Sequence, residues 1–531
     1  SGCWRMSRSA VSTPASVRGV LTIVQRMFWP GLSLSSMYGS FAVGPQVFVG
    51  SEPDSTPGPG CASQINLLWA QMSDQIQNPV PGPGQTGEPA RPQFDPSAAH
   101  QQRPRLRPIR GFPAQVGNQT MLGLADARQI SDKMVVLPMA AQHLLPLMNG
   151  ERSVDEIVNQ VGKGLSAPIL QGIIAQLDEA GLLFGPRFDA LLASMHAEFD
   201  SASVLPPAAT GSLAEHVVQQ KFGESPTEEQ RSQAPQLIRE VLDQWIAQAL
   251  EKEVSQAFDR LPRGVMTPHV DYPRGWLNYA SVWGRMRGVE RPDRVVILAT
   301  NHFGMGTGVT GCDKGYETPL GVSPADSALV AALKRHLGPA GSAKLFEHRF
   351  DHEREHSIEL QIPWIQHCLG VDAAGGHVPV FGALVHDPAV NNGESYDGKG
   401  LSIEAFVTSL RAAIDELGGK TLVVSSADLS HVGPMFGDQQ SLAGDTPQAQ
   451  EARNKVLQHD QEMLKHIGEN RPEDLVSAMA WLQNPTRWCS TGNIVATMKV
   501  ARPERVELLK YMAALDQQGM GMVTSAGAVM W

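Results

Sequence analysis

The chain has 531 residues, 42% hydrophobic and 18% charged, with a formal net charge of −11 at pH 7. At roughly 100–200 residues per domain this allows two or three domains with apolar material for their cores, and the acidic balance argues against a general nucleic-acid binder, which needs a basic face for phosphate. Cys3, Cys61, Cys312, Cys368 and Cys489 are odd in number and scattered, which argues against a disulfide scaffold and for a reducing, cytoplasmic setting; no run reaches the ~18 apolar residues of a membrane span.

Residues 1–105 carry no sustained hydrophobic period and are punctuated by "STPGPGCAS" and "NPVPGPGQTGEPARPQFDP", so they read as a disordered, Pro/Gly-rich leader. Within it, Gly19 to Leu32 is apolar but is cut by Arg26 and Pro30. A degraded signal-like segment and more of the same leader both stay open there.

A second unit is expected over 106–188. "MAAQHLLPLMNG" has helical spacing, and Ser153 and Glu156 of "SVDE" form a capping box. "APILQGIIAQLDEAG" is an amphipathic helix stopped at Gly181, and "LLFGPRF" reads as a short strand. Helices with a hairpin-like end predict a small winged-helix domain. The pattern loosely resembles the PqqD-like peptide-recognition domains, which implies a site for a peptide or partner protein. A winged helix with a purely structural role is the alternative. DNA reading is not expected, because the candidate helix has no Lys or Arg and carries Asp178 and Glu179.

Pro226 to Phe258 reads as one long helix. From there strands and helices alternate: "GVMTPH", "DRVVILAT", "HVPVFGALV" and "TLVVSSADLS" as strands, with "WLNYASVWGRM", "SPADSALVAALKRHL" (capped by Ser323), "SIELQIPWIQHCL" and "IEAFVTSLRAAIDELGG" as helices. This order predicts an α/β fold with a mainly parallel central sheet covered by helices on both faces.

Polar knots fall at the ends or mouths of these elements. They are "TPHVDY" with His269 and Asp271, "TNHFG" with His302, "DHEREHSIELQ" with His352, Glu355, His356 and Glu359, and "SSADLSHVG" with Asp428 and His431. A fifth, "RWCSTGN", holds Cys489. Any one of these histidines alone reads best as a hydrogen-bonded loop residue. Three knots directly follow strands of one sheet, however, and parallel strands bring such ends to one edge, where open α/β sheets build their sites. Two imidazoles and a thiolate make a three-ligand transition-metal site with one position open. A further His and an Asp–His pair beside it can move protons or orient a ligand.

From about residue 206 to 531 the chain resembles the MEMO family, also called AmmeMemoRadiSam system protein B, which is related to the class III extradiol dioxygenases. The resemblance lies in "TPHVDY", "LATNHFG", "YETPLG", "EREHSIELQIPWIQ", "VVSSADLSHVG" and "TSAGAVMW", in family order. It implies that His269, His302 and Cys489 hold one metal ion, iron or copper first and zinc as a third candidate, and that His356 and His431 line the pocket in catalytic positions with Asp428. The chain departs from the family pattern at Phe303, where the family has a second His, at Asp271 for Gly, at Asn301 for Ser, and over Pro207 to His216, "PAATGSLAEH".

Two functions follow as alternatives. One is a metal-dependent, dioxygenase-like oxidoreductase, with His356 or His431 as acid/base and Asp428 orienting a partner. The other is a metal- or peptide-binding accessory protein without turnover. A zinc hydrolase is a weaker third. The family name also implies company with an AMMECR-type protein and a radical SAM enzyme in a modification pathway.

Overall fold

Val295, Val296, Ile297, Leu298 and Ala299 are all fully buried, the burial of a strand covered on both faces. They belong to a computed structural model that describes residues 92–162 and 164–531, and the backbone of residues 22–26. The rest of the leader expected over 1–105 lies outside the described residues. In chain order the strands are β1 (Thr22–Arg26), β2 (Ile109–Val116), β3 (Gln119–Asp126), β4 (Val135–Leu137), β5 (Val204–Leu205), β6 (Gly264–Thr267), β7 (Arg294–Ala299), β8 (Thr310–Cys312), β9 (Gly315–Thr318), β10 (Gly321–Ser323), β11 (Val380–Leu384), β12 (Thr421–Ser426), β13 (Asp428–Val432), β14 (Val506–Leu515) and β15 (Met522–Met530).

The main sheet runs β1-β14-β15-β6-β12-β7-β11-β8, with β13 also on β15. Its heart, β6-β12-β7-β11, is parallel. Antiparallel partners bracket that heart: β15 against β6 on one side and β8 against β11 on the other. Successive side chains of a strand point to opposite faces, and the core divides accordingly. Val295 and Ile297 pack with Trp283, Leu242 and Trp364, whereas Val296 and Leu298 pack with Leu329, Phe406 and Ala496. Helices therefore cover both faces: Ala234–Leu250, Tyr272–Trp283 and Ile362–Leu369 on one, Ser327–Phe346, Ile403–Leu417 and Thr491–Ala501 on the other. This is the expected α/β class.

Several local expectations are adjusted by neighbours in space. The helix expected over 226–258 is interrupted: Glu228–Arg231 forms one short turn and Ala234–Leu250 the main helix, with Pro235 in its first turn. Ser323 ends β10, and the following helix is capped instead by Asp326, which accepts from the Leu329 N–H at 2.9 Å. "SIELQIPWIQHCL" splits into His356–Glu359 and Ile362–Leu369, because Pro363 supplies no N–H and starts a new helix.

The small unit begins before residue 106. Gln101 is buried, and the Gln101 and His100 side chains reach Asp178 at 2.7 and 3.0 Å. Its sheet, β2-β3-β4, precedes its helices, Val154–Val161, Ala167–Glu179 and Pro186–Ser201. The expected capping box at Ser153 and Glu156 is present. "MAAQHLLPLMNG" forms two short 3-10 turns around Pro146 rather than an α-helix. "LLFGPRF" contributes one bridge, Leu106 to Leu183, before a helix starts at Pro186, so the hairpin of this unit leads and does not close it.

Candidate metal centre

The C-terminal ends of β6, β12 and β7 lie side by side: Ser426 is level with Thr267, and Ser425 with Leu298. The chain leaving β6 carries His269, that leaving β12 carries Asp428, and that leaving β7 carries His302. Cys489 comes from the turn before helix Thr491–Ala501. One ligand atom from each of His269, His302 and Cys489 lies within 4.8 Å of the others. The Cys489 Sγ is 3.4 Å from His269 Nε2, and the two imidazole planes are nearly perpendicular, at 86°.

Each imidazole is held from behind. His269 Nδ1 lies 2.9 Å from the Ser426 carbonyl oxygen, an acceptor only, so Nδ1 carries the proton and Nε2 turns its lone pair to the site. His302 Nδ1 lies 3.0 Å from Glu355 Oε1, with the same consequence, and Glu355 Oε2 accepts from the His302 backbone N–H at 2.7 Å. A carbonyl or carboxylate behind each ligating histidine is the usual support of a metal-binding imidazole. The donor set therefore fits a transition metal: two nitrogen donors and one sulfur, with coordination left open to a further ligand.

The charge balance agrees. Burial opposes ionisation of Cys489, but His269 foremost, with His431 and His302, holds its thiol well below the ordinary value. Burial likewise opposes protonation of His302, but Glu355 and Cys489 raise it well above the ordinary imidazole value. His269 is raised by Asp428 and Cys489 against the same penalty. Glu355 is fully ionised: burial would raise it, but His302 draws it well below the carboxylate range. The thiol and the imidazoles thus favour opposite charges on one another across the pocket.

His356 stacks on His302, with ring centroids 5.0 Å apart and planes 25° from parallel. Burial pushes its pKa down to about 3, against the pull of Glu355. With Glu355 and His302 it makes a second group of metal-type donors. Asp428 is buried, accepts the His269 backbone N–H at 3.0 Å and lies 3.6 Å from His269 Nε2, so its contacts brace that ligand. His431 is placed by its own strand: its backbone N–H donates to the Thr486 carbonyl at 2.8 Å and its ring packs on Phe436. Asp271 does not join the donors. It caps helix Tyr272–Trp283 and pairs with Arg274 at 2.5 Å. His352 is committed to Tyr316 and the Thr310 carbonyl, both at 3.0 Å. Glu359 caps helix Ala209–Phe222, accepting from the N–H groups of Ala208, Ala209 and Thr210 at 2.8–3.0 Å. "PAATGS" thus receives the carboxylate of the "EHSIE" block.

Two residues that sequence reasoning passed over tie the centre together. Asn493 donates to Thr300 Oγ1 and the Ser426 carbonyl, each at 3.0 Å, and accepts from Ser425 Oγ at 2.8 Å. Gln361 donates to the Pro268 carbonyl at 2.6 Å and to Ser426 Oγ at 2.8 Å. Asn493 follows Cys489 in "CSTGN" and Gln361 closes "EHSIELQ", so proximity to those blocks was the available signal.

A doubly covered α/β sheet with nitrogen and sulfur donors converging at the ends of adjacent parallel strands defines a protein with a metal-type site at its sheet edge. The Memo-like protein family model matches residues 231–529, and the chain belongs to that family. It is 29% identical over 260 residues to a MEMO1 family protein of Methanopyrus kandleri, covering 48% of this chain and 78% of the relative. A MEMO1 family protein of Thermotoga maritima is 27% identical over 261 residues, 49% of this chain and 78% of the relative. One from Pyrobaculum aerophilum is 26% identical over 203 residues, 37% and 65%.

Proposed function

We propose that the chain is a metal-dependent oxidoreductase of the dioxygenase-like kind, with one transition metal ion held by His269 Nε2, His302 Nε2 and Cys489 Sγ. The observation that carries the reading is the tautomer arrangement: both Nδ1 atoms are occupied from behind, so two lone pairs and a thiolate converge on one point. When bound, the ion supplies a Lewis-acidic position for an oxygen donor of the substrate. The protein's own residues do the rest. His356, kept neutral by burial, accepts a hydrogen bond from an acidic substrate hydroxyl and orients it. Glu355 lies 3.3 Å from His356 Nδ1 and works against the burial that lowers its pKa. Asp428 keeps His269 in register, and His431 helps hold the Cys489 thiol below its ordinary value.

The alternative is an accessory protein that binds metal or a peptide without turnover. A thiolate is a soft donor and favours copper or zinc over iron, which supports that reading. In either case the small N-terminal unit is the proposed seat of a peptide or partner protein, in a modification pathway shared with an AMMECR-type protein and a radical SAM enzyme. No helix of the described residues is long and apolar enough to cross a membrane. The acidic pair of the candidate recognition helix is already engaged, Asp178 by His100 and Gln101, Glu179 by Lys133 and Arg187, and no basic residue replaces it.

Anaerobic purification with elemental analysis, wild type beside Cys489→Ala, tests the proposal. Stoichiometric iron, lost in the variant, together with oxygen consumption on catechol-like compounds, supports the oxidoreductase. Copper or zinc with no turnover supports the accessory reading, and equal metal in both proteins removes the site.

A further inference from the structure

The small unit grips the two segments that build the His302 side of the centre. The Arg128 guanidinium donates to the Phe303 carbonyl at 3.3 Å, one residue past His302. Asp200 pairs with Arg349, and the His196 and Phe350 rings stack at 3.6 Å. That second segment continues into Asp351, which ties down the 301–306 loop. Asp351 accepts from Asn301 Nδ2 at 2.8 Å and from the Met305 and Gly306 N–H groups at 2.9 and 2.8 Å. Four residues on is Glu355, the partner of His302.

A cavity of about 190 Å³ remains between these contacts. Leu192 and Met195 wall it from the small unit, Phe303 and Met305 from the loop, and Arg128 and Arg354 border it. Among the described residues neither arginine is in an ion pair. Arg128 makes one side-chain hydrogen bond, to Phe303, and Arg354 makes none. Glu347 and Asp351 also border the cavity, but Asp351 is spent on the loop and Glu347 is exposed. Apolar walls with two guanidinium groups short of acceptors suit an organic anion, because a guanidinium presents forked donors to a carboxylate. The space is smaller than the ~300–1,000 Å³ of a drug-sized pocket and matches a fragment such as a phenyl ring with a short acidic arm. Phe303 is the shared wall: its ring centroid lies 5.9 Å from that of His302 and 6.1 Å from that of His356.

We propose that this cleft binds a small aromatic or branched organic acid, its apolar body against Leu192, Met195 and Phe303 and its carboxylate between Arg128 and Arg354. The ligand then adjoins the metal-type site across a single phenyl ring. Nothing in this inference uses the ion, so it stands or falls apart from the function proposed above.

Isothermal titration of the full chain, stripped of metal, with 3-phenylpropionate tests it. One saturable site is expected, with the neutral 3-phenylpropanol failing to compete. Arg128→Gln and the exposed Arg354→Gln should each weaken binding about tenfold or more, the value of a charge-assisted hydrogen bond. Leu192→Trp, which fills the cavity, should abolish it. Circular dichroism on each variant certifies the fold. Absence of saturable binding to wild type overturns the proposal, as does wild-type affinity in folded Arg354→Gln and Leu192→Trp.

Discussion

Glu355→Gln isolates the support behind one ligand while keeping its shape. In the native protein Oε1 receives the Ser357 N–H at 2.9 Å and lies 3.0 Å from His302 Nδ1, while Oε2 receives the His302 N–H at 2.7 Å. A glutamine must turn its NH₂ toward one of those donors. If it faces Nδ1, the imidazole has to accept there and carry its proton on Nε2, which removes the lone pair that points to the site. Loss of such an outer partner costs roughly 10–100-fold in metal affinity, equivalent to about 1.4–2.7 kcal/mol. The unmatched buried donor costs about 1–3 kcal/mol of folding stability besides. Competition of the metal-free protein with a chromophoric zinc chelator reads the first quantity, and the thermal midpoint without metal reads the second. Retained affinity, within about threefold of wild type, in a variant that has lost stability would refute the dependence of the metal-type site on the Glu355 carboxylate behind His302.

Metal binding should release protons, because Glu355 and Cys489 hold His302 well above the ordinary imidazole value while Cys489 is held well below the ordinary thiol value. Affinity should therefore rise with pH until the raised imidazole value is passed, and titration in buffers of different ionisation enthalpy counts the protons; none released would contradict the charge balance. His356→Gln and His431→Gln should keep metal content near that of wild type and abolish turnover or ligand binding, so metal analysis beside an activity assay separates a ligand from a proton-handling residue. Gly492→Ala drives a Cβ into the His386 carbonyl oxygen, in the first turn after Cys489. It should destabilise the metal-free protein by about 1–3 kcal/mol, read from chemical denaturation, and a neutral result would mean that this turn yields freely.

Much of the site was legible because its chemistry sits where the pattern changes. Apolar runs such as "RVVILA" mark doubly covered strands, and the first polar residues after them must lie at the sheet edge, which brings His269, His302 and Asp428 together. Cys489 follows no strand; its place in the polar turn "RWCSTGN" made it a candidate, and the family resemblance gave it the role of a ligand. The roles of carboxylates were not legible. Asp271 follows His269 as closely as any ligand would, yet its geometry is that of a helix cap, and Glu355, which reads as a helix-start residue, does that for the Ser357 N–H while also orienting His302. A carboxylate's role depends on which donors the fold brings to it, and those lie 53 residues away for Glu355 and His302. The grip of the small unit on the 301–306 loop had no sequence signature, since Arg128 uses a backbone carbonyl that any residue supplies.

The position of β15 bears on when the donor set can first be assembled. This strand, made after every donor of the site, is inserted between β14 and β6. On a ribosome, the segments bearing His269 and His302 are made long before Cys489, and the sheet under them stays open until Met522–Met530 has emerged. Two histidines without the thiolate offer a weak and unselective donor set. The donor set is therefore a product of the whole sheet and not of the strands that bear its histidines, and a chain cut before Met522 would leave β6 with an open edge beside His269.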